Sequence, residues 1–192
     1  MKLQEIKIGI IGLGYVGLPL AVEFSKRYST IGFDINEKRI SQLKIFNDIT
    51  KEVDNKLLEV VINKKLIVTC HYIELSECNF YIITVPTPID KYKIPDLKPL
   101  ISASETVGKL IKKNDVVVYE STVYPGCTEN DCIPILEKES QLKFNKDFFC
   151  GYSPERINPG DKERTLTKIK KITSGSNQKS ADFINEVYSS II

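Results

Sequence analysis

The chain has 192 residues, enough to bury one substantial core, and its 42% hydrophobic and 27% charged content is that of an ordinary globular domain. Its 27 basic and 25 acidic residues leave a net charge of +2, so no global field argues for nucleic acid or an anionic membrane as a partner. No run approaches the roughly 20 apolar residues that span a bilayer, and Met1-Lys2-Leu3-Gln4-Glu5 lacks the apolar stretch of a secretory leader; the expected setting is the cytoplasm.

In chain order, short apolar runs alternate with amphipathic stretches, which predicts an α/β fold: a Rossmann-like, doubly wound parallel sheet with helices on both faces. Strands are expected near 6–11, 30–34, 66–69, 79–84, 115–120, 147–151 and 170–174. Helices are expected near 14–27, 37–45, 53–63, 97–112, 129–138 and 179–191. The run Asp115-Val116-Val117-Val118-Tyr119 is almost continuously apolar, as a strand covered on both faces requires. Residues 1–178 form the expected domain. Residues 179–192 read as the start of a helix leading out of it, because Ser180 to Ile192 shows no closing cap, glycine or polar tail. The stretch from Asp161 to Lys171 carries seven charges with a basic excess and reads as a solvated loop, with anion contact as the lesser alternative.

The first strand runs into Gly12-Leu13-Gly14-Tyr15-Val16-Gly17. Alone this spacing is weak, but a strand precedes it, a helix follows it, and an acid comes roughly 20 residues later, the context of a dinucleotide site. Gly12 permits the tight turn, Gly14 lets backbone approach a pyrophosphate held at the helix start, and Gly17 permits close helix–strand packing. Asp34 closes Ile31-Gly32-Phe33-Asp34; a carboxylate there accepts hydrogen bonds from ribose hydroxyls and repels a 2′-phosphate, which favours NAD over NADP. The competing reading is a turn that needs its glycines for shape alone, with Asp34 only capping the next helix.

Two further segments fall at the carboxyl ends of later strands, where open α/β sheets bind ligands. Val85-Pro86-Thr87-Pro88 is stiffened by two prolines. Glu120-Ser121-Thr122-Val123 brings two hydroxyls to the sheet edge, where they either face a nicotinamide or merely cap a turn. The five cysteines, Cys70, Cys78, Cys127, Cys132 and Cys150, form no CxxC pair, and with a single histidine, His71, they make no zinc site or Ser/His/Asp triad; no metal is expected. Buried free thiols are the simple reading. Cys127 is the one candidate nucleophile, just ahead of a helix expected to open at Thr128 with Asp131 three residues on.

Taken together, Gly12-Leu13-Gly14-Tyr15-Val16-Gly17-Leu18-Pro19, Val85-Pro86-Thr87-Pro88, Glu120-Ser121-Thr122-Val123-Tyr124-Pro125-Gly126-Cys127-Thr128-Glu129 and Tyr152-Ser153-Pro154-Glu155-Arg156-Ile157-Asn158-Pro159-Gly160 resemble the UDP-glucose/GDP-mannose dehydrogenase family over essentially the whole chain. The likeness is to its bacterial UDP-N-acetylhexosamine 6-dehydrogenase branch. The resemblance implies oxidation of a nucleotide sugar's C6 hydroxymethyl to a carboxylate with two NAD, for surface polysaccharide, by a cytoplasmic homodimer. It implies a cofactor site of Gly12, Gly14, Tyr15, Val16, Gly17, Asp34, Arg39, Val85, Pro86, Thr87, Ser121 and Thr122. It further implies that Thr122 helps hold a catalytic water and that Glu155 is the acid/base carboxylate. Glu155, Arg156, Ile157, Asn158 and Pro159 would line the substrate. Pro159 stands where the UDP-glucose enzymes carry a second glutamate, which argues for an N-acetylated sugar.

By the same resemblance, the family's lysine, asparagine and nucleophilic cysteine lie beyond residue 192, and none of the five cysteines matches that nucleophile. The expectation is the NAD-binding half of a site, inactive by itself. Two alternatives stay open: a stand-alone NAD-sensing module, and another two-domain NAD dehydrogenase.

Overall fold

The computed structural model describes residues 3–62, 64–156 and 169–192. Seven strands make one sheet: β1 (Lys7–Ile11), β2 (Ser29–Phe33), β3 (Leu66–Thr69), β4 (Phe80–Ile83), β5 (Val116–Tyr119), β6 (Phe149–Tyr152) and a two-residue β7 (Ser174–Gly175). Their order is β3-β2-β1-β4-β5-β6-β7. The first six pair in parallel. The expected seventh strand is shorter, shifted and antiparallel to β6, because the chain turns at once into the helix capped at Asn177. Strand order reverses between β1 and β4, so a crevice opens there at the carboxyl edge.

Strand residues alternate between two cores. Ile8, Ile10, Phe80, Ile82, Val116 and Val118 face one side with Leu18, Leu43, Leu58 and Ile184. Ile11, Tyr81, Ile83, Val117 and Tyr119 face the other with Leu100, Val107 and Leu136. The first layer holds α1 (Gly17–Ser25), α2 (Glu37–Lys44), α3 (Asn55–Val61) and α6 (Gln178–Ser189); the second holds α4 (Lys98–Gly108) and α5 (Ile133–Ser140). Period-two apolar strands buried on both faces are what a doubly wound sheet needs. Among the described residues no helix is long and apolar enough to cross a membrane.

Three local findings differ from the sequence expectation. First, α1 starts at Gly17, since Gly14, Tyr15 and Val16 belong to the turn. Second, α5 is preceded by a π-helical turn, Thr128–Cys132, whose cap position is Cys127 and which no side chain caps, so Thr128 is not the cap. Third, α6 packs on the first core instead of projecting free of it. Ile184, Val187 and Tyr188 are buried, and the Tyr188 ring stands edge-on to Phe24 at 5.5 Å. A reciprocal capping box between Asn177 and Ser180 fixes the start of this helix.

Candidate functional site

The glycine turn leaves β1 at Gly12, whose φ of +98° lies in the region other residues avoid, and whose amide donates to the Phe33 carbonyl at 2.8 Å. A Cβ on Gly17 would lie 1.8 Å from the Gly12 carbonyl oxygen, so only glycine lets α1 seat against the turn. Gly14 is the opposite case. Nothing lies within 4 Å of where its Cβ would be, which leaves room for a ligand against bare backbone. Val16, at the cap of α1, contributes no side-chain hydrogen bond, and a helix start of this kind favours an anion.

Asp34 follows β2 and is fixed from both sides. Its Oδ2 accepts from the Leu13 amide at 2.9 Å and its Oδ1 from the Asn36 amide at 2.9 Å. The helix cap is Asn36, which accepts from the amides of Lys38 and Arg39. Asp34 therefore braces the glycine turn instead of capping α2. Arg39, assigned by resemblance to the cofactor surface, is not among the described residues that line the cleft. The side chain is buried behind the turn, where Nε donates to the Leu13 carbonyl at 2.8 Å and Nη1 pairs with Asp48 at 2.8 Å. Burial opposes ionisation of Asp48. The Thr50 hydroxyl, the amides of Val53 and Thr50 and the Arg39 guanidinium overcome it and hold the carboxyl below its usual range. No local pattern marks Asp48.

On the other side of the switch point, the loops after β4 and β5 are stitched together. The Ser121 hydroxyl donates to the Val85 carbonyl at 2.6 Å, and the Thr87 hydroxyl to the Thr122 carbonyl at 2.6 Å. The Thr84 hydroxyl donates back to the Ile11 and Gly12 carbonyls at 3.0 and 2.7 Å. A cleft of about 700 Å³ results, walled by Gly12, Gly14, Tyr15, Val16, Asp34, Val85, Pro86, Thr87, Ser121, Thr122 and Glu155. Glu120 also reaches it, a residue the sequence reading passed over. Gly17 lies beneath the wall and Arg156 outside it. The Arg156 amide donates to Glu155 Oε1 at 2.6 Å. Ile157, Asn158 and Pro159 fall outside the described residues. Another hollow, at the opposite strand ends near Lys7 and Arg27, contains none of the motif residues.

Glu120 is 1% exposed. Burial pushes its carboxyl up to about 7, against the pull of Lys171 and a hydrogen bond from Tyr188, with the Glu155 charge adding to the rise. Lys171 belongs to the charge run read as a solvated loop, yet its side chain is only 2% exposed. Cys127 is fully buried, and burial, with the Asp131 charge beside it, pushes its thiol up. No cysteine is among the described residues that line the cleft.

A sequence model described as the UDP-glucose/GDP-mannose dehydrogenase family, NAD binding domain, matches residues 6–192. The chain is 59% identical over 190 residues to a UDP-N-acetyl-D-glucosamine 6-dehydrogenase of Salmonella typhi and 55% identical over 190 residues to one of Pseudomonas aeruginosa. Each alignment covers 99% of this chain and 44% of the relative. Among solved structures, a UDP-D-ManNAc dehydrogenase from Pyrococcus horikoshii superposes with a TM-score of 0.88 at 34% identity, over 97% of this chain and 45% of that one. The chain thus spans less than half the length of these relatives.

Proposed function

The chain belongs to the UDP-glucose/GDP-mannose dehydrogenase family, as its NAD-binding domain, and we propose that it supplies the cofactor half of an enzyme oxidising the C6 hydroxymethyl of a UDP-N-acetylhexosamine to a carboxylate, for surface polysaccharide. The observation that carries this reading is convergence. Motifs spread from Gly12 to Glu155 open into one cleft over the strand-order switch point.

NAD, when bound, supplies the hydride acceptor. Gly14 and the start of α1 offer backbone to its pyrophosphate. Asp34, already oriented by two amides, offers its remaining acceptor capacity to ribose hydroxyls and disfavours a 2′-phosphate. Ser121 spends its hydroxyl on the Val85 carbonyl and so shapes the wall. Thr122 is exposed there, in place to hold a water. Glu155, at the same edge, takes or gives the proton that oxidation and hydrolysis require. We place this work in the cytoplasm, in a homodimer, away from nucleic acid and membrane. The N-acetylhexosamine assignment is supported by the similarity to the Salmonella typhi and Pseudomonas aeruginosa proteins.

Calorimetric titration of the 192-residue chain with NAD and NADP tests the cofactor assignment; equal affinity for both would defeat it. The assay for turnover is NADH absorbance with UDP-N-acetylglucosamine, UDP-N-acetylgalactosamine and UDP-N-acetylmannosamine. Because no thiol lines the described cleft to trap the aldehyde for the second hydride transfer, the chain by itself should not carry the sugar through to the carboxylate with two NADH. Steady production abolished by Cys127→Ser would overturn the half-site reading.

A further inference from the structure

Behind the cleft wall, side chains from four segments meet: Glu120 at the end of β5, Glu155 after β6, Lys171 ahead of β7 and Tyr188 in α6. Lys171 Nζ donates to Glu120 Oε2 at 2.5 Å and to Glu155 Oε2 at 3.1 Å. The Tyr188 hydroxyl donates to Glu120 Oε1 at 2.5 Å. Side-chain exposures are 2% for Lys171, 0% for Glu120 and 9% for Glu155. A buried ammonium is tolerated only when carboxylates compensate it, and here one ammonium serves two. The division of labour is uneven. Glu120 and Glu155 reach the cleft and Lys171 does not.

We propose that Lys171 is a positioning residue for Glu155: it holds that carboxylate at the cleft edge, while Glu120 keeps the ammonium charged and Tyr188 ties the cluster to α6. This rests on the reading of Glu155 as the proton-transfer group. Because the two carboxylates share one cation, the charge state of Glu120 is coupled to Lys171 and to the Glu155 charge. The groups facing Glu120 are Lys171, Glu155 and Tyr188, and the Glu155 charge already raises the Glu120 carboxyl. A proton on Glu120 therefore loosens its claim on Lys171 and leaves the ammonium to Glu155.

The test is NMR on the cofactor-free 192-residue chain with carbon-13-labelled glutamate. Carboxyl resonances are followed through pH 4–10 and assigned with Glu120→Gln and Glu155→Gln. The Glu120 midpoint should fall by at least about half a pH unit in Glu155→Gln and rise by more than about one unit in Lys171→Met. In Lys171→Arg it should stay within about half a unit of wild type. The Glu155 resonance should move in Lys171→Met and return in Lys171→Arg. A Glu120 midpoint indifferent to Glu155→Gln would overturn the proposal, and so would a Glu155 resonance unmoved by Lys171→Met. If Lys171→Met does not fold, the Glu155→Gln arm decides, since it changes a side chain at the cleft edge. Failure of the wild-type chain to bind NAD would defeat the site reading instead, and the cofactor-free titration would still decide the cluster.

Discussion

The two halves of the cleft are built on different principles. On the β1–β2 side the wall offers bare backbone at Gly12 and Gly14, and of its charged side chains Asp34 reaches the cleft while Arg39 and Asp48 work from behind. Arg39 and Asp48 are buried and prop the turn through the Leu13 carbonyl, while Asp34 fixes the Leu13 amide. On the β4–β6 side the wall is hydroxyl and carboxylate, with its cation recruited from just ahead of β7, 16 residues from Glu155 and 51 from Glu120 in sequence. The first half recognises by shape and fixed dipoles, which cost no proton. The second carries groups whose protonation can change. That contrast suits a pyrophosphate on one side and proton-coupled chemistry on the other.

The shape half should be the harsher to break. Gly17→Ala places a Cβ 1.8 Å from the Gly12 oxygen and 2.4 Å from the Thr84 hydroxyl, so the turn and α1 cannot both keep their places. A loss of at least about 4 kcal/mol in urea unfolding is expected, with NAD binding abolished. A loss below about 1 kcal/mol would mean the turn is pliable and the rigid-shape account mistaken.

The charge half should fail in a pH-dependent way. Lys171→Met takes the shared ammonium from two carboxylates and should cost about 3–5 kcal/mol at pH 8. The Glu120 carboxyl is raised from 4.5 to about 7 in the folded chain. A raised acid holds its proton more tightly when folded, so its contribution to stability is full below its ordinary value and is lost as pH rises toward 7. Above that, the ionised carboxylate depends on Lys171. The variant can escape part of the penalty by keeping the proton, so its deficit against wild type should be smaller at pH 6 than at pH 8. Denaturation curves at the two values check this; a pH-independent deficit would show that Lys171 matters for packing alone. Asp115, also raised to about 7 by burial at the far end of β5, gives both proteins the same falling trend and cancels in the difference.

Asp34→Ala sharpens the comparison from the other side, because among the described residues Asp34 is the one cleft-lining carboxylate of the shape half. The loss of charge-assisted hydrogen bonds should weaken NAD by about 2–4 kcal/mol and shrink the preference over NADP. An unchanged preference in parallel titrations would remove Asp34 from cofactor selection and leave it its bonds to the Leu13 and Asn36 amides.

The same contrast explains what could be read from the sequence. Six strands announced themselves as apolar runs, and the glycine turn announced itself by spacing, because both are local. Arg39 is buried against Asp48, an arrangement that depends on a loop folding back over α2 and that no local pattern marks. Lys171 was hidden in a run of seven charges; nothing local marks the one that turns inward. Glu120 could have been suspected from its place at the end of an apolar strand. The buried stripe of α6, Ile184, Val187 and Tyr188, packs on the sheet, a contact that the missing end signals of that segment do not reveal.

The smallest effect is expected at Cys127, which lies near the chemistry of the second half in sequence and apart from it in space. It is fully buried at the head of a π-helical turn, outside the residues that wall the cleft. Burial and the Asp131 charge hold its thiol protonated at neutral pH, so little thiolate is present and access is closed. Cys127→Ala should therefore cost about 1 kcal/mol for the lost sulfur contacts and leave NAD affinity unchanged. In the native chain, iodoacetamide should modify Cys70, which is half-buried, well before Cys127. Mass spectrometry of the peptides gives the order. Preferential labelling of Cys127, with NAD protecting it, would place a reactive thiol in the cleft and redraw the second half of the site.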